Sequence, residues 1–306
     1  MNCYNDFAAY LRQQFPFKVQ KISVNAGFTC PNRDGSKGVG GCTYCNNRTF
    51  NPAYCENGND LTAQLNDGVR FFARKYPDMR YLAYFQSYSN TYSDLPTLAR
   101  LYDEALAFPG VAGLIIATRP DCVSDELLDY LNILSKKTFI LIEYGIESTS
   151  DATLLRINRG HNFATAVDAI QRTHNHGLRA GAHLILGLPG EDRETILHHA
   201  DAISSLPLTS LKLHQLQLIR GTAMGNEYLA HPERFSLHTA DEYADLVVDF
   251  LERLNPLIAI DRFVSQSPKE LLIAPDWGLK NHEFRALIVK RFASRETWQG
   301  RLFSPV

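Results

Sequence analysis

Apolar positions along the chain fall into two alternating rhythms. Compact strand-like runs occur at 80–86, 111–118, 138–146, 178–187 and 210–219. Between them, at 94–107, 124–135, 162–176 and 191–204, apolar residues recur at helical spacing. Asp94 and Ser124 stand as capping residues at helix starts, and Glu191 and Asp192 open the last helical stretch with acidic groups. Ahead of this series, Phe7, Tyr10, Leu11 and Phe15 give 4–15 a helical pattern that Pro16 ends, and 18–24 alternates as a first strand. The polar stretch 46–59, with Pro52 and Gly58, reads as irregular, and 61–76 returns to a helical pattern.

Strands alternating with helices imply parallel strands joined by crossovers. Six such units, two short of a closed eight-stranded barrel, predict an α/β fold: a partial (β/α)6 TIM-type barrel. After residue 219 the rhythm stops. Loop signals at 220–222 and 231–232 precede a helix at 239–254, a short strand at 259–264 and a helix at 281–292. The expected organisation is a helical lead-in over 1–17, the partial barrel over 18–222, and a small, mostly helical C-terminal extension over 223–306 packed on it.

Composition narrows the class. The 306 residues include 45% hydrophobic ones and carry a formal net charge of -2, so there is core material but no global polyanion-binding signature. No run of 18 apolar residues spans a membrane, and the start Met-Asn-Cys-Tyr-Asn-Asp lacks the basic-then-apolar pattern of a secretory signal. With six cysteines clustered once and otherwise scattered, the expectation is a cytoplasmic protein with reduced thiols. The stretch 278–306 holds six basic residues against two acidic ones. It is a candidate phosphate-contacting surface; the plainer reading is a solvated helix.

The cluster is Cys30, Cys42 and Cys45, in a loop that also contains Gly35, Gly38, Gly40 and Gly41. A C-x2-C pair with a third thiol brought in from a distance makes a three-thiolate site. A closed zinc site needs a fourth ligand, for which Cys55 is the nearest cysteine; that alternative leads to a non-catalytic, zinc-stabilised RNA-binding adaptor. Three thiolates on an iron–sulfur cluster leave one iron open, and the count favours that reading.

With an aromatic residue inside Cys-Thr-Tyr-Cys, the loop resembles the cluster motif of the radical S-adenosylmethionine (SAM) superfamily. The first gap, C-x11-C, is longer than the usual C-x3-C, as it also is in the catalytic subunit of Elongator. The run C-P-N-R-D-G … G-G-C-T-Y-C-N is similar to the uncharacterised bacterial YhcC-like branch. Further segments resemble the superfamily in matching order: I-A-T-R-P-D at 116–121, I-E-Y-G-I-E-S at 142–148, N-R-G-H at 158–161 and L-I-L-G-L-P-G-E at 184–191.

The resemblance implies a [4Fe–4S] cluster held by Cys30, Cys42 and Cys45. It implies reductive cleavage of SAM to a 5′-deoxyadenosyl radical that abstracts hydrogen from a substrate. An electron donor such as flavodoxin or ferredoxin would be a partner, and likeness to the Elongator subunit points to a tRNA nucleoside as substrate, with a protein or a small metabolite as the alternatives. Tyr44 would flank the adenine. Gln86, Ser87 and Asn90 occupy the place of a glycine-rich segment that meets the methionine amino group, and this chain lacks those glycines. Glu143 suits the ribose hydroxyls, and Glu147, four residues on and expected on the same face, looks toward substrate or Arg119; an internal ion pair with Arg119 or Arg159 is the plainer alternative. Arg119 and Arg159 suit the SAM carboxylate, and Gly187 would let backbone approach the cofactor. Glu147 and Cys122 are the candidates for a catalytic role. Among the histidines, His174 and His176 read as helix-end groups and His198 and His199 as surface residues, while one of His183 and His214 is expected to face the cavity.

Overall fold

The computed structural model describes residues 3–49, 51–55, 60–73 and 79–305. The chain begins with helix α1 (Phe7–Gln14), capped by Asp6 accepting from the Ala8 amide, and enters strand β1 (Val19–Val24). The alternating series follows as α2 (Leu61–Ala73), β2 (Arg80–Phe85), α3 (Leu95–Ala107), β3 (Val111–Thr118), α4 (Asp125–Ser135) and β4 (Phe139–Glu147). Two helices, α5 (Asp151–Arg156) and α6 (Phe163–Asn175), lead to β5 (Arg179–Leu186), and α7 (Arg193–Ser204) leads to β6 (Leu208–Gln215). The remainder comprises β7 (Leu218–Ile219), α8 (Ala223–Ala230), α9 (Ala240–Arg253), β8 (Ala259–Arg262), β9 (Leu272–Ala274) and α10 (Asn281–Ser294). Asp94, Ser124 and Asp192 cap α3, α4 and α7 as their sequence positions require.

Seven parallel strands form one curled sheet in the order β1-β2-β3-β4-β5-β6-β8, an α/β partial TIM-type barrel with a helical C-terminal part. Sequence periodicity counted six units; the seventh strand is the short one expected at 259–264, which joins β6 in parallel. The strand expected at 210–219 divides: β6 stays in the sheet, and β7 leaves it to pair antiparallel with β9. Helices α5 and α8 were not expected. In the polar stretch 46–59, single helical turns form at Asn47–Thr49 and Ala53–Cys55, with 50 and 56–59 outside the described residues. The last three residues of the helix expected at 61–76 also lie outside them.

The two faces of the sheet have different partners. One presents Ile22, Ala83, Phe85, Ile116, Ile142, Leu184 and Leu213 to a continuous apolar core with the surrounding helices. The other encloses the barrel interior, and its lower part is filled by α1: Phe7 and Leu11 pack with Leu82, Ile115, Leu141 and Ala259. Asn5 accepts from the Ile260 amide, so the lead-in segment also covers the free edge of β8. Close strand approach leaves no room at Gly113, where a Cβ would stand 2.4 Å from the Phe139 carbonyl oxygen. Gly113→Ala is expected to destabilise by about 1–3 kcal/mol, seen as a lower denaturant midpoint with an unchanged m-value.

The basic C-terminal stretch is partly paired at the surface. Arg291 binds Asp241 at 2.8 Å and Asp245 at 3.2 Å, Arg295 binds Asp249, Arg301 binds Glu252 at 3.0 Å, and Arg285 binds Asp6 at 2.6 Å. Four of its six cations are therefore paired with carboxylates, three of them to α9.

Candidate functional site

Parallel strands put all their C-terminal ends on one side of the sheet, where loops converge. There the cysteine loop leaves β1 and is pinned by its own backbone and by the turn after α5. The Arg33 amide donates to the Cys30 carbonyl at 2.8 Å, the Cys45 amide to that of Cys42 at 3.0 Å, and the Thr43 amide to that of Ile157 at 2.9 Å. Asn158 Nδ2 donates to the Gly41 carbonyl at 2.9 Å, and Asn32 Nδ2 returns a bond to the Asn158 carbonyl at 2.6 Å. The N-R-G-H segment thus has a mechanical role. At Gly160 (φ +78°) a Cβ would stand 2.9 Å from Asn32 Oδ1 and 3.3 Å from Arg119 Nη2.

Arg159 follows from this clasp. Its Nη1 points at Cys42 Sγ, 3.6 Å away; its Nη2 donates to the Gly145 carbonyl at 2.5 Å and lies 3.7 Å from Glu147; its Nε is buried without a partner. Arg119, at the end of β3, forks onto Asp121 at 2.9 and 3.1 Å and keeps a buried Nη1 with no partner. Burial alone would raise the Asp121 carboxyl, but hydrogen bonds and charge from Arg119 and Lys37 hold it at about 2. Burial and the neighbouring Cys42 push the Cys45 thiol up to about 11 against the pull of Arg33, so metal charge is what would hold three thiolates together here.

Cys30, Cys42 and Cys45 line one cavity of about 170 Å³ together with Tyr44, Gln86, Arg119, Glu143, Glu147 and Arg159. The other expected contacts sit elsewhere. Asn90 is buried beside the cavity, with its Nδ2 tying the Phe85 carbonyl to that of Ala117. Ser87 hydrogen-bonds Asn51. Gly187 (φ +90°) faces the His238 ring, in a neighbouring crevice. Cys122 lies outside the cavity wall, with burial first and Asp121 second pushing its thiol up to about 12. Cys55 also stands apart: its thiol meets the Ser23 carbonyl at 3.3 Å, and burial pushes it up to about 12.

Glu143 and Glu147 do not share a regular face. Pairing of β4 with β5 skips from Gly145↔His183 to Glu147↔Leu184, and Glu147 takes a left-handed φ of +73°. This bulge turns Glu147 to the rim beside Arg159, while Glu143 stays deep. A Cβ at Gly145 would come within 2.5 Å of Glu147 Oε1 and 2.8 Å of Arg159 Nη2, so only glycine leaves them room.

Below the cavity lies a charged layer whose cations and histidine pairing went unassigned in the sequence. Lys212 Nζ meets Glu143 Oε2 at 2.5 Å and Tyr84 Oη at 2.9 Å, and lies 3.4 Å from Asp261. Lys21 bonds Asp261 and stands 3.8 Å from Glu143 Oε1. His183 Nε2 lies 3.1 Å from Glu143 Oε2. Burial opposes ionisation of Glu143, but Lys212, Lys21 and His183 together hold its carboxyl well below the usual range. Both His183 and His214 line the cavity, where one was expected. His174 and His176 are helix-end residues as expected, with His176 accepted by the Arg172 carbonyl at 2.7 Å. Exposed His198 also fits its reading. His199 does not: it is buried between Glu191 Oε1 at 3.0 Å and Thr149 Oγ1 at 2.7 Å, because α7 turns that face onto the end of β4.

Residues 27–203 match the Radical SAM superfamily. The chain belongs to that superfamily. Residues 208–294 match the Radical_SAM C-terminal domain. YtqA of Bacillus subtilis, an uncharacterised protein, is 35% identical over 98% of this chain and 92% of its own length. YhcC of Escherichia coli is 32% identical over 89% of this chain and 87% of its own. Among solved structures, the archaeal Methanocaldococcus infernus Elp3 superposes with a TM-score of 0.68 at 14% identity, covering 92% of this chain and 64% of that one, a likeness of fold.

Radical SAM enzymes use a [4Fe–4S] cluster and SAM. The residues present fit both groups: three free cysteines line one cavity, and the unpartnered guanidinium atoms of Arg119 and Arg159 stand beside them. Among the described residues no three His, Cys, Asp or Glu side chains converge on a point for a single ion. A cubane offers a separate iron to each thiolate, so its ligands stand farther apart than those of one ion. Among the described residues no helix is long and apolar enough to cross a membrane.

Proposed function

We propose that this radical SAM protein cleaves SAM reductively and directs the resulting radical onto a substrate held in the barrel interior. The observation that carries this reading is the shared cavity of Cys30, Cys42, Cys45, Arg119 and Arg159. When bound by the three thiolates, a [4Fe–4S] cluster supplies an open iron for the amino and carboxylate groups of SAM and the electron that breaks its carbon–sulfur bond.

The chain's own residues do the positioning. Arg159 fixes Cys42 from one side and offers Nε toward a carboxylate; Arg119 offers Nη1. Tyr44 would flank the adenine, and Gln86, which accepts from Ser23 at 2.9 Å, would meet the methionine end. Glu143 is committed to Lys212 through Oε2 and leaves Oε1 without a hydrogen bond, an acceptor suited to a hydroxyl. In this reading 18–222 carries the radical chemistry, and 223–306 closes the substrate end through β8. An electron donor such as flavodoxin or ferredoxin, in a reducing cytoplasm, completes the system.

The reading is tested by anaerobic reconstitution, reduction and assay for 5′-deoxyadenosine and methionine in equal amounts. Neither product forming from a fully loaded cluster would overturn it. Arg119→Lys removes the unpartnered Nη1 and the fork onto Asp121 that aims it. It is expected to raise the SAM concentration for half-maximal 5′-deoxyadenosine release roughly tenfold or more.

For the substrate, a tRNA nucleoside is the reading supported by relatives: a Dehalococcoides mccartyi tRNA uridine(34) acetyltransferase is 25% identical over 173 residues. A small molecule is favoured by a different observation, the pairing of four of the six C-terminal cations with carboxylates of the chain itself. Nucleoside profiling of tRNA from a deletion strain separates them: a missing modified nucleoside supports tRNA, and an unchanged profile rejects it.

A further inference from the structure

The charged layer under the cavity is nearly self-contained. Lys21 and Lys212 face Glu143 and Asp261, two cations against two carboxylates, all buried or half-buried. Arg262 is the surplus. Pairing of β6 with β8 runs Leu211↔Ile260 and then Lys212↔Arg262, so a bulge at Asp261 brings both Asp261 and Arg262 toward the interior. Arg262 lines the cavity, and among the described residues no hydrogen bond or ion pair is seen for its side chain. Its charge reaches Asp261, Tyr84 and His214. On the same wall, His214 Nε2 is buried without a hydrogen-bond partner, and Ser265 and Ser267 continue the lining.

A surplus guanidinium in a concave wall calls for an oxyanion, and the His214 ring in its Nε2–H tautomer supplies a second donor beside it. SAM does not supply it. Its one carboxylate would be held at the cysteine loop, where Arg159 touches Cys42 and Arg119 keeps a free Nη1. We propose that the hydrogen-donating substrate carries an anionic group, a carboxylate or a phosphate ester, that seats on Arg262 and His214 at the β6–β8 wall. This deepens the radical SAM reading and rests on it. It also explains why the seventh strand belongs to the barrel: β8 contributes the anchor that sets the substrate's distance from the SAM end of the cavity.

The test uses the full-length, cluster-loaded protein, with inorganic phosphate and acetate as probes, followed by thermal shift and, for phosphate, 31P line broadening. The expected result is saturable binding of at least one probe, undiminished by SAM, weakened on the order of tenfold to a hundredfold in Arg262→Gln and less so in Arg262→Lys. Phosphate binding without acetate binding assigns a phosphate ester; acetate binding assigns a carboxylate. Three outcomes overturn the proposal: neither probe saturates the wild type, Arg262→Gln binds as well as wild type, or SAM displaces the probe, which would give Arg262 to the SAM carboxylate. Far-ultraviolet circular dichroism checks that each variant is folded. SAM cleavage by the wild type is read separately, so absence of 5′-deoxyadenosine strikes the radical reading while anion binding is judged by its own data.

Discussion

Replacement of Cys30, Cys42 or Cys45 by alanine is expected to reduce iron from about four per chain to a small residue and to bring 5′-deoxyadenosine release below detection. The physical reason is ligand count. All three thiols line one cavity, so loss of any one leaves an iron facing solvent in a site already short of a fourth protein ligand. The same substitution at Cys55 or Cys122 is expected to leave iron content at the wild-type level, because both thiols lie outside the cavity wall. Iron and sulfide analysis of anaerobically purified variants checks both halves. Retention of a full cluster in any of the three alanine variants would contradict the ligand assignment, and loss of iron in Cys55→Ala would bring that thiol back as a ligand.

Lys212→Met is expected to cost about 3–5 kcal/mol of stability, because it leaves carboxylates buried with one fewer cation. Lys212 is 2.5 Å from Glu143 and 3.4 Å from Asp261, at 2% side-chain exposure. Pairing it with Glu143→Leu should return part of the loss, since the two charges then disappear together; a double-mutant cycle in urea measures the coupling. The sign of the pH dependence follows from the same contacts. Glu143 has a depressed carboxyl in the folded protein, so its contribution is present above the ordinary value of 4.5 and is lost as pH falls below it. Burial, then Lys212, depress His183 below its ordinary value of 6.5, so stability also falls as the unfolded chain takes up that proton below 6.5. Wild-type stability should therefore decline on acidification below 6.5, through His183, and further below 4.5, as Glu143 is protonated. A flat profile over that range would contradict the buried charge assignment.

The parallel β/α frame was legible because each of the first six strands is a compact run between amphipathic stretches. The seventh was legible as a strand but not as a member of the sheet, since Ala259–Arg262 is four residues long and follows two helices. Spacing alone grouped Cys30, Cys42 and Cys45, and the fold brings the three to one cavity. The charged layer was not legible. Lys212 alternates with Leu211 and Leu213, which sets the face it shares with His214 but not what that face encloses. Curling of the sheet turns that face inward, and only then does Lys21 on the first strand reach Asp261 on the last. Glu147 failed the period-of-two argument through a bulge that a single sequence does not announce, although Gly145 two residues earlier is a signal for one. His199 was misread because its helix is buried on the side that meets Glu191 and Thr149, a matter of packing rather than composition.

The claim on which the rest depends is that the three-thiolate site presents an open iron to SAM. Electron paramagnetic resonance of the reduced, cluster-loaded protein tests it most directly, recorded before and after addition of SAM. The expected result is a reduced [4Fe–4S] signal whose g-values shift when SAM binds the open iron. A signal that SAM leaves unchanged, or a loaded protein with no iron–sulfur signal at all, would contradict it.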